Sequence, residues 1–181
     1  NDFKKARRAI GLSPQEINLD VFFTIQKILE FQAGYFGVPQ KKAIKKVDEI
    51  LKKLGIYDKR DNTARHLSGG MKRRVQIAKA LVHDPKILIL DEPTAGVDIE
   101  LRQKLWINFK KLNKQGVTII LTTHYLEEAE TLCDEIAIIH KGEIVANDNK
   151  KNLLKLIDKK ILIMKFEESP NKTLINALSK F

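Results

Sequence analysis

Two adjacent carboxylates, Asp91 and Glu92, directly follow a short apolar segment, Lys86–Leu90, that is typical of a buried parallel strand. In open α/β sheets, ligands bind at the carboxyl ends of the strands. One carboxylate there can help to hold Mg²⁺, directly or through water, and the next can orient or deprotonate an attacking water. The pair therefore indicates a nucleotide-hydrolysing centre, and the alternative is an acidic turn that ends a strand.

A histidine occupies the matching position after the next apolar segment, Val117–Leu121. His124 follows two threonines there, and an imidazole at that position can hydrogen-bond a terminal phosphate or stabilise the charge developing on it. A histidine after a strand is more often an ordinary loop residue, so this interpretation depends on the two strands being neighbours. The remaining histidines have no partner at metal-ligand spacing and are predicted to be surface or loop residues: His66, His83 and His140.

A third candidate is the sequence Ser68-Gly69-Gly70, which precedes a predicted helix. Glycines allow close backbone approach, and the free N–H groups of a helix N-terminus attract an anion. The alternative is a helix cap with a flexible turn. Three cations follow, and they either steer phosphate or form a solvated helix face: Lys72, Arg73 and Arg74.

The elements that must position these residues alternate between strands and helices, which predicts an α/β fold with a parallel sheet. Helices are predicted over about 25–36, 41–54, 72–83, 99–115, 126–132 and 151–157, and strands over about 9–12, 86–90, 117–121 and 161–166. The dipeptide Lys141-Gly142 predicts a hairpin turn between two further short strands. Trp106, at helical spacing from Phe109, is predicted to belong to the core.

The amino-acid composition limits the classes of protein to which this chain can belong. The 181 residues are 43% hydrophobic and 31% charged, so a core can form. The longest apolar runs fall far below the roughly 18 residues of a membrane span, and the single cysteine fits a reducing compartment. The net charge of +10 comes mainly from lysines that no aromatic residues interleave, so we expect solvated faces and no nucleic-acid partner.

Five segments together resemble the motifs of ABC-type ATPases, in that family's order and at plausible spacings. They are Ile10–Glu16 for the Q-loop, Leu67–Arg73 for the signature motif, Ile87–Pro93 for Walker B with the catalytic glutamate, Ala95–Asp98 for the D-loop and Thr122–His124 for the switch-histidine loop. The resemblance covers residues 8 to about 148. It implies a P-loop NTPase (RecA-like) parallel sheet with a helical ABC subdomain.

Three stretches are closer still to the ATP-binding subunits of ABC-2-type exporters, a group that includes multidrug, antibiotic and polysaccharide or lipid exporters. These stretches begin at Gly69, Ala95 and Thr123. The resemblance implies a subunit that couples ATP hydrolysis in a head-to-tail dimer to export. Its expected partners are an integral-membrane permease and a second ATP-binding subunit, and its expected location is the cytoplasmic face of the cell membrane.

The resemblance also implies a role for each matching residue. Gln15 would contact Mg²⁺ or the attacking water, Asp91 would be the Mg²⁺ carboxylate, and Glu92 would be the general base. His124 would contact the γ-phosphate of ATP. In the dimer, the signature residues would bind the γ-phosphate of ATP held by the other subunit, and Asp98 would work at the dimer interface; the signature residues are Ser68, Gly69 and Gly70.

The same resemblance implies four segments. Residues 1–16 would end the first part of the nucleotide-binding core, 17–83 would form the helical subdomain with the signature motif, 84–148 would complete the core, and 149–181 would be a C-terminal extension.

One motif of the family is not in the sequence. ATP-binding members need a Gly-x-x-x-x-Gly-Lys-Ser/Thr loop, whose lysine contacts the β- and γ-phosphates and whose hydroxyl binds Mg²⁺. The chain has 9 glycines, and none of them precedes a lysine. We therefore expect a piece of a longer protein that begins after this loop and after the first strands of the sheet. By itself, the chain is expected to bind Mg-ATP poorly and not to hydrolyse it.

Two other functions remain open at this point. One is an ABC ATPase without a transport role, acting on ribosomes or in DNA repair; such proteins commonly carry two nucleotide domains or a long coiled coil. The other is a non-enzymatic module that binds a partner ATPase through Ser68-Gly69-Gly70. Such a module would have no need of Glu92 and His124, and both are present.

Overall fold

The computed structural model describes residues 2–156. The chain divides between Cys133 and Asp134 into two compact units. The strand predicted near residues 161–166 lies outside the described residues. No helix within residues 2–156 combines the length and the apolar character that a membrane crossing requires.

The first unit contains a parallel sheet of three strands in the order β1-β2-β3. The strands are β1 (Ile10–Ser13), β2 (Ile87–Asp91) and β3 (Thr118–Thr122). Ser13 pairs with Leu90, and Leu90 pairs with Leu121, so the three strands end at nearly the same level. The predicted parallel α/β arrangement is therefore confirmed, and the strands of the two candidate reactive segments are neighbours.

Six α-helices accompany this sheet within the described part of the first unit. They are α1 (Phe3–Ala9), α2 (Ile25–Tyr35), α3 (Gln40–Lys53), α4 (Gly69–Leu81), α5 (Ile99–Lys114) and α6 (Leu126–Leu132). Helix α1 was not predicted. Helix α4 begins three residues earlier than predicted because the Ser68 side chain accepts a hydrogen bond from the Met71 N–H and caps it.

The core of the first unit forms where α2, α3 and α4 pack together and where the helices cover one face of the sheet. Leu29, Val47, Leu51 and Val75 are completely buried between the helices. Leu88 and Leu90 are completely buried under the sheet. Side chains of a strand alternate between its two faces, so the same strands place their other residues on the opposite face.

Helix α4 lies unusually close to β1 because Gly11 has no side chain. A Cβ atom built on Gly11 would lie 2.2 Å from the carbonyl oxygen of Ala80 and 2.9 Å from Cγ of Pro85. The approach places α4, and with it the residues of its first turns, directly beside the segment that follows β1.

The second unit begins with an antiparallel hairpin of β4 (Glu135–His140) and β5 (Glu143–Asn149). Both turn residues have positive φ, 52° at Lys141 and 83° at Gly142, as the tight turns preferred in hairpins require. Helix α7 (Lys150–Leu156) follows, and the Asn149 side chain accepts a hydrogen bond from the Asn152 N–H at its start. The predicted hairpin and the predicted helix are confirmed.

Candidate active site

Three predicted site residues meet at the carboxyl ends of the three parallel strands. Gln15 follows β1, Glu92 follows β2, and His124 follows β3. The Gln15 Nε2 group donates to Glu92 Oε2 over 3.2 Å, and His124 Nδ1 donates to Glu92 Oε1 over 3.1 Å. Glu92 is thus held from both sides. The strands that precede Glu92 and His124 are neighbours, which the interpretation of His124 as a phosphate contact required.

Asp91 and Glu92 are both fixed to Thr122 at the end of β3. The Glu92 N–H donates to the Thr122 carbonyl oxygen over 3.1 Å and to its Oγ1 over 3.3 Å. The Thr122 hydroxyl in turn donates to Oδ1 of Asp91. The two neighbouring carboxylates therefore have different partners. Asp91 is bonded to the Thr122 hydroxyl, whereas Glu92 lies between Gln15 and His124.

The backbone at Glu92 adopts a conformation that is uncommon for a residue with a side chain. Its φ is 45°, in the left-handed region. Such a conformation costs free energy and persists only where the surroundings hold it, as they often do at functional sites. Here it turns the chain sharply after β2, and the carboxylate stays about three-quarters buried beside Gln15 and His124.

Helix α4 holds the loop that carries Gln15. The guanidinium of Arg73 donates to the carbonyl oxygens of Pro14 and Gln15 over 2.7 and 2.5 Å. The side-chain amide of Gln76 donates to the carbonyls of Pro14 and Glu16 over 2.8 and 2.7 Å. The loop backbone is therefore anchored by side chains of a helix that the close approach at Gly11 brings beside it.

Arg73 also contributes positive charge near the two carboxylates. It is 4% exposed. Burial lowers the pKa of its guanidinium, and the charges of Asp91 and Glu92 oppose that lowering. A solvated helix face, which was one of the two alternatives for the cations that follow Ser68-Gly69-Gly70, does not describe Arg73, because its side chain is buried. Arg74 is similarly buried, and it donates to the carbonyls of Leu54 and Gly55 over 3.2 and 2.5 Å.

The remaining predicted residues form a second group at the starts of α4 and α5. Ser68 caps α4, and Asp98 caps α5 by accepting from the Leu101 N–H over 2.9 Å. A Cβ on Gly70 would lie 3.2 Å from the Gly96 carbonyl oxygen, so the first turn of α4 packs against the segment before α5. No hydrogen bond between described residues joins this group to Gln15, Glu92 and His124.

A buried carboxylate that the sequence analysis missed supports the segment between Glu92 and α5. Glu128 on α6 is fully buried and accepts from the Thr94 hydroxyl over 3.0 Å and from Trp106 Nε1 over 2.9 Å. Trp106 belongs to the core as predicted, yet its N–H also has a specific partner. The only sequence signal was an acidic residue on the apolar side of a short helix, and nothing in the sequence indicated which donors would meet it.

The residues present fit a magnesium ion bound together with phosphate. Within residues 2–156, no three side chains of His, Cys, Asp or Glu are grouped so that they could hold a metal. Mg²⁺ commonly takes only one or two carboxylates and completes its shell with water and substrate phosphates. Asp91 supplies such a carboxylate. The Gln15 amide adds a carbonyl oxygen that has no partner among the described residues.

Comparison with known proteins finds a profile described as "ABC transporter" that matches residues 1–95. The chain is 40% identical over 150 residues to the Nod factor export ATP-binding protein I of Ralstonia nicotianae, covering 83% of this chain and 47% of that protein. It is 42% identical over 149 residues to the linearmycin resistance ATP-binding protein LnrL of Bacillus subtilis, covering 82% and 48%. The chain thus spans about half the length of these relatives.

Solved structures resemble the same region. One, described as the ATP-binding subunit of an ABC transporter, matches with a TM-score of 0.76 and 25% identity over 86% of this chain and 65% of that chain. Another is a dimeric ATP-binding cassette, MJ0796, in a post-hydrolysis state with ADP and Pi. It matches with a TM-score of 0.74 and 26% identity, covering 81% of this chain and 65% of that one. The likeness confirms the predicted P-loop NTPase fold over the part that is covered.

Proposed function

The chain belongs to the ABC transporter family, and from that membership we propose that it forms part of an ATP-hydrolysing subunit that drives an exporter. The observation that carries the proposal is the meeting of Gln15, Glu92 and His124 at the ends of three neighbouring parallel strands. The two relatives named above are described as export and resistance ATP-binding proteins, which favours an exporter.

In this proposal Glu92 is the general base. Its carboxylate is aligned by the Gln15 amide and the His124 imidazole, so it can accept a proton from a water held in one orientation. Asp91 and the side-chain amide oxygen of Gln15 would hold Mg²⁺, and the ion would supply positive charge that neutralises the phosphates. His124 lies beside the base, and we assign to it the contact with the γ-phosphate.

The second group of residues acts across a dimer. Ser68, Gly69 and Gly70 start a 13-residue helix, whose N–H groups and dipole favour an anion. We assign to them the γ-phosphate of ATP held by a second subunit, and to Asp98 a position at the dimer interface. Two features support this assignment. No hydrogen bond within residues 2–156 joins the two groups of site residues, and one of the similar structures is described as dimeric.

The segments of the chain and its partners are assigned from the family. Residues 1–16 and 84–148 belong to the nucleotide-binding core, 17–83 form the helical subdomain, and 149–181 extend the chain. The helical subdomain faces an integral-membrane permease, which would place the protein at the cytoplasmic face of the cell membrane. The family and the relatives' names support these assignments.

We further propose that the 181-residue chain alone does not hydrolyse ATP. None of its 9 glycines precedes a lysine, so it contains no Gly-x-x-x-x-Gly-Lys-Ser/Thr loop to hold the β- and γ-phosphates. Without that loop, Glu92 has no substrate beside it.

The test compares Mg-ATP binding, by calorimetry, and phosphate release for this chain and for a version extended upstream by such a loop. We expect the 181-residue chain to be silent and the extended version to bind and to hydrolyse ATP. In the extended version, Glu92→Gln should keep ATP binding and lower kcat by about 10²-fold or more, because the amide cannot accept the proton.

The matched control is Glu127→Gln, which removes the same charge from the first turn of α6. Its kcat should stay close to that of the parent. Rapid hydrolysis by the Glu92→Gln variant would show that Glu92 is not the base. Turnover by a pure preparation of the 181-residue chain would show that other residues hold the phosphates.

A further inference from the structure

The first unit has a cavity of about 900 Å³ that none of the proposed nucleotide contacts uses. It lies between α1, the start of α3 and the turn that joins α4 to β2. His83 on this turn bonds to Ile10, the first residue of β1, and Lys86 immediately precedes β2. The cavity is therefore at the amino ends of the strands, whereas Gln15, Glu92 and His124 follow their carboxyl ends.

Positive charge predominates around this cavity. Its lining includes five cations, Lys5, Arg8, Lys42, Lys46 and Lys86, but only two carboxylates, Asp2 and Asp84. Lys5 pairs with Asp2 over 3.1 Å, and Lys46 pairs with Asp84. Arg8, Lys42 and Lys86 then have no ion-pair partner among residues 2–156. Three cations around one concave surface repel one another, and an anion between them would relieve that repulsion.

A buried histidine adds a polar atom that the fold itself does not satisfy. His83, predicted to be at the surface or in a loop, is only 5% exposed, and its ring stacks on Phe36 with 3.7 Å between centroids. Its Nε2 donates to the Ile10 carbonyl oxygen over 3.0 Å, while the buried Nδ1 has no hydrogen-bond partner within residues 2–156. Burial lowers the pKa of His83; the bond to the Ile10 carbonyl opposes this shift, and the charges of Lys46 and Arg8 add to it. The net lowering favours the neutral ring, in which Nε2 carries the proton and Nδ1 is an acceptor.

The start of α3 adds to the positive electrostatic potential at the cavity. Pro39 is its N-cap and forms no side-chain cap, and both Pro39 and Lys42 line the cavity. The positive end of a 14-residue helix therefore lies at this wall. It acts together with the three unpaired cations and the unsatisfied His83 atom.

We propose that this cavity binds a ligand carrying at least two phosphate groups. Arg8, Lys42 and Lys86 bind the phosphate oxygens, and Nδ1 of His83 accepts a hydrogen bond from a hydroxyl of the ligand or from a protonated phosphate oxygen. The volume lies within the range of about 300–1,000 Å³ that is usual for small-molecule sites. This chemistry has two sources, a free compound with two phosphate groups and the head group of a lipid with two phosphate groups. The proposal does not depend on the site assigned to ATP.

The test uses inorganic pyrophosphate as the probe and the 181-residue chain as the protein. Binding is measured by calorimetry for the unchanged chain and for the triple variant Arg8→Gln, Lys42→Gln, Lys86→Gln. These side chains are exposed, so we expect the variant to fold normally. Its affinity should fall by at least about tenfold, since each charge-assisted hydrogen bond to phosphate contributes strongly.

The matched control is the triple variant Lys110→Gln, Lys111→Gln, Lys114→Gln on α5, where the same three charges are lost from exposed positions outside the cavity. It should bind pyrophosphate almost as the unchanged chain does. Equal affinity of the two triple variants would overturn the proposal, because the attraction would then come from overall charge. His83→Gln, which can still donate to Ile10, should weaken binding while leaving the net charge at pH 7 unchanged.

A second arm identifies the source of the phosphates. Flotation with phosphatidylcholine vesicles that contain cardiolipin, a lipid with two phosphates, is compared with flotation with phosphatidylcholine alone. Vesicle binding that the cavity variant loses and the α5 variant keeps identifies a lipid head group. Pyrophosphate binding without vesicle binding identifies a free ligand. The absence of binding in both arms would refute the site.

Discussion

At the scale of single residues, Arg73 fixes the position of Gln15. The two carbonyl oxygens it binds belong to Pro14 and to Gln15 itself, and its planar guanidinium can bind both at once. A lysine or an apolar residue has no equivalent pair of donors. Arg73 therefore positions the residue that contacts Glu92, although it does not itself bond to Glu92.

Arg73→Met should lower the free energy of unfolding by about 2 kcal/mol or more, because charged hydrogen bonds are lost and the Gln15 carbonyl loses its side-chain donor. Lys72→Met is the matched control. The Lys72 side chain is half-buried and has no hydrogen bond or ion pair among the described residues, so its replacement should change stability by less than about 0.5 kcal/mol. Urea unfolding of both variants measures the difference. Equal effects would show that the bonds to the loop contribute little.

At the scale of elements, the contact between β1 and α4 depends on a glycine. The space at Gly11 is closed by the backbone oxygen of Ala80 and by the ring of Pro85, neither of which can rotate away. Because α4 carries Arg73 and Gln76, a shift of this helix would also move the loop that holds Gln15. The packing at one end of β1 therefore affects the site at its other end.

Gly11→Ala should destabilise the protein by about 2 kcal/mol or more, since the added methyl group forces α4 away from the sheet. The control is Gly34→Ala in α2, where an added Cβ would meet no described atom within 4 Å. That change should stabilise the protein by about 0.5–1 kcal/mol, because alanine favours a helix more than glycine does. Thermal and urea unfolding measure both changes. Tolerance of alanine at position 11 would mean that α4 shifts at little cost.

At the scale of the whole molecule, one face of the parallel sheet carries exposed apolar side chains in the part of the chain that the structure describes. Ile10, Leu12 and Ile120 alternate with the buried residues of their strands, and they are 36, 57 and 54% exposed. Leu12 and Ile120 flank Ile89 in the pairing register, so the exposed groups form one continuous apolar surface. Contiguous apolar surface of this kind promotes association in water.

We therefore expect the purified 181-residue chain to self-associate as its concentration rises. Sedimentation velocity over a range of concentrations measures this directly. Leu12→Thr reduces the apolar area and keeps strand propensity, so it should shift the distribution towards the monomer. Ile107→Thr, at a position on α5 that is 52% exposed, is a control outside the sheet. A monomer at all concentrations would contradict the expectation.

Much of this protein could be predicted from its sequence, because local patterns determine local structure. Continuous apolar runs identified β2 and β3, helical spacing identified α3, and capping or terminating residues identified α2 and α5, each to within about two residues. The order of the motifs indicated the family, and the family is confirmed. The residue types at the strand ends indicated the chemistry of Asp91, Glu92 and His124, whose roles stay predictions.

Only the tertiary structure decided which side chains meet. Gln15 and Glu92 are 77 positions apart in the sequence, and they meet because β1 pairs with β2. No local pattern specifies that pairing. Burial of Arg73, His83 and Glu128 depends on packing between helices and strands far apart in the chain. The local sequence around a charged or polar residue does not show whether its side chain will be solvated or buried. Its burial depends on partners such as the carbonyls that Arg73 binds, and only the folded chain brings those partners to it.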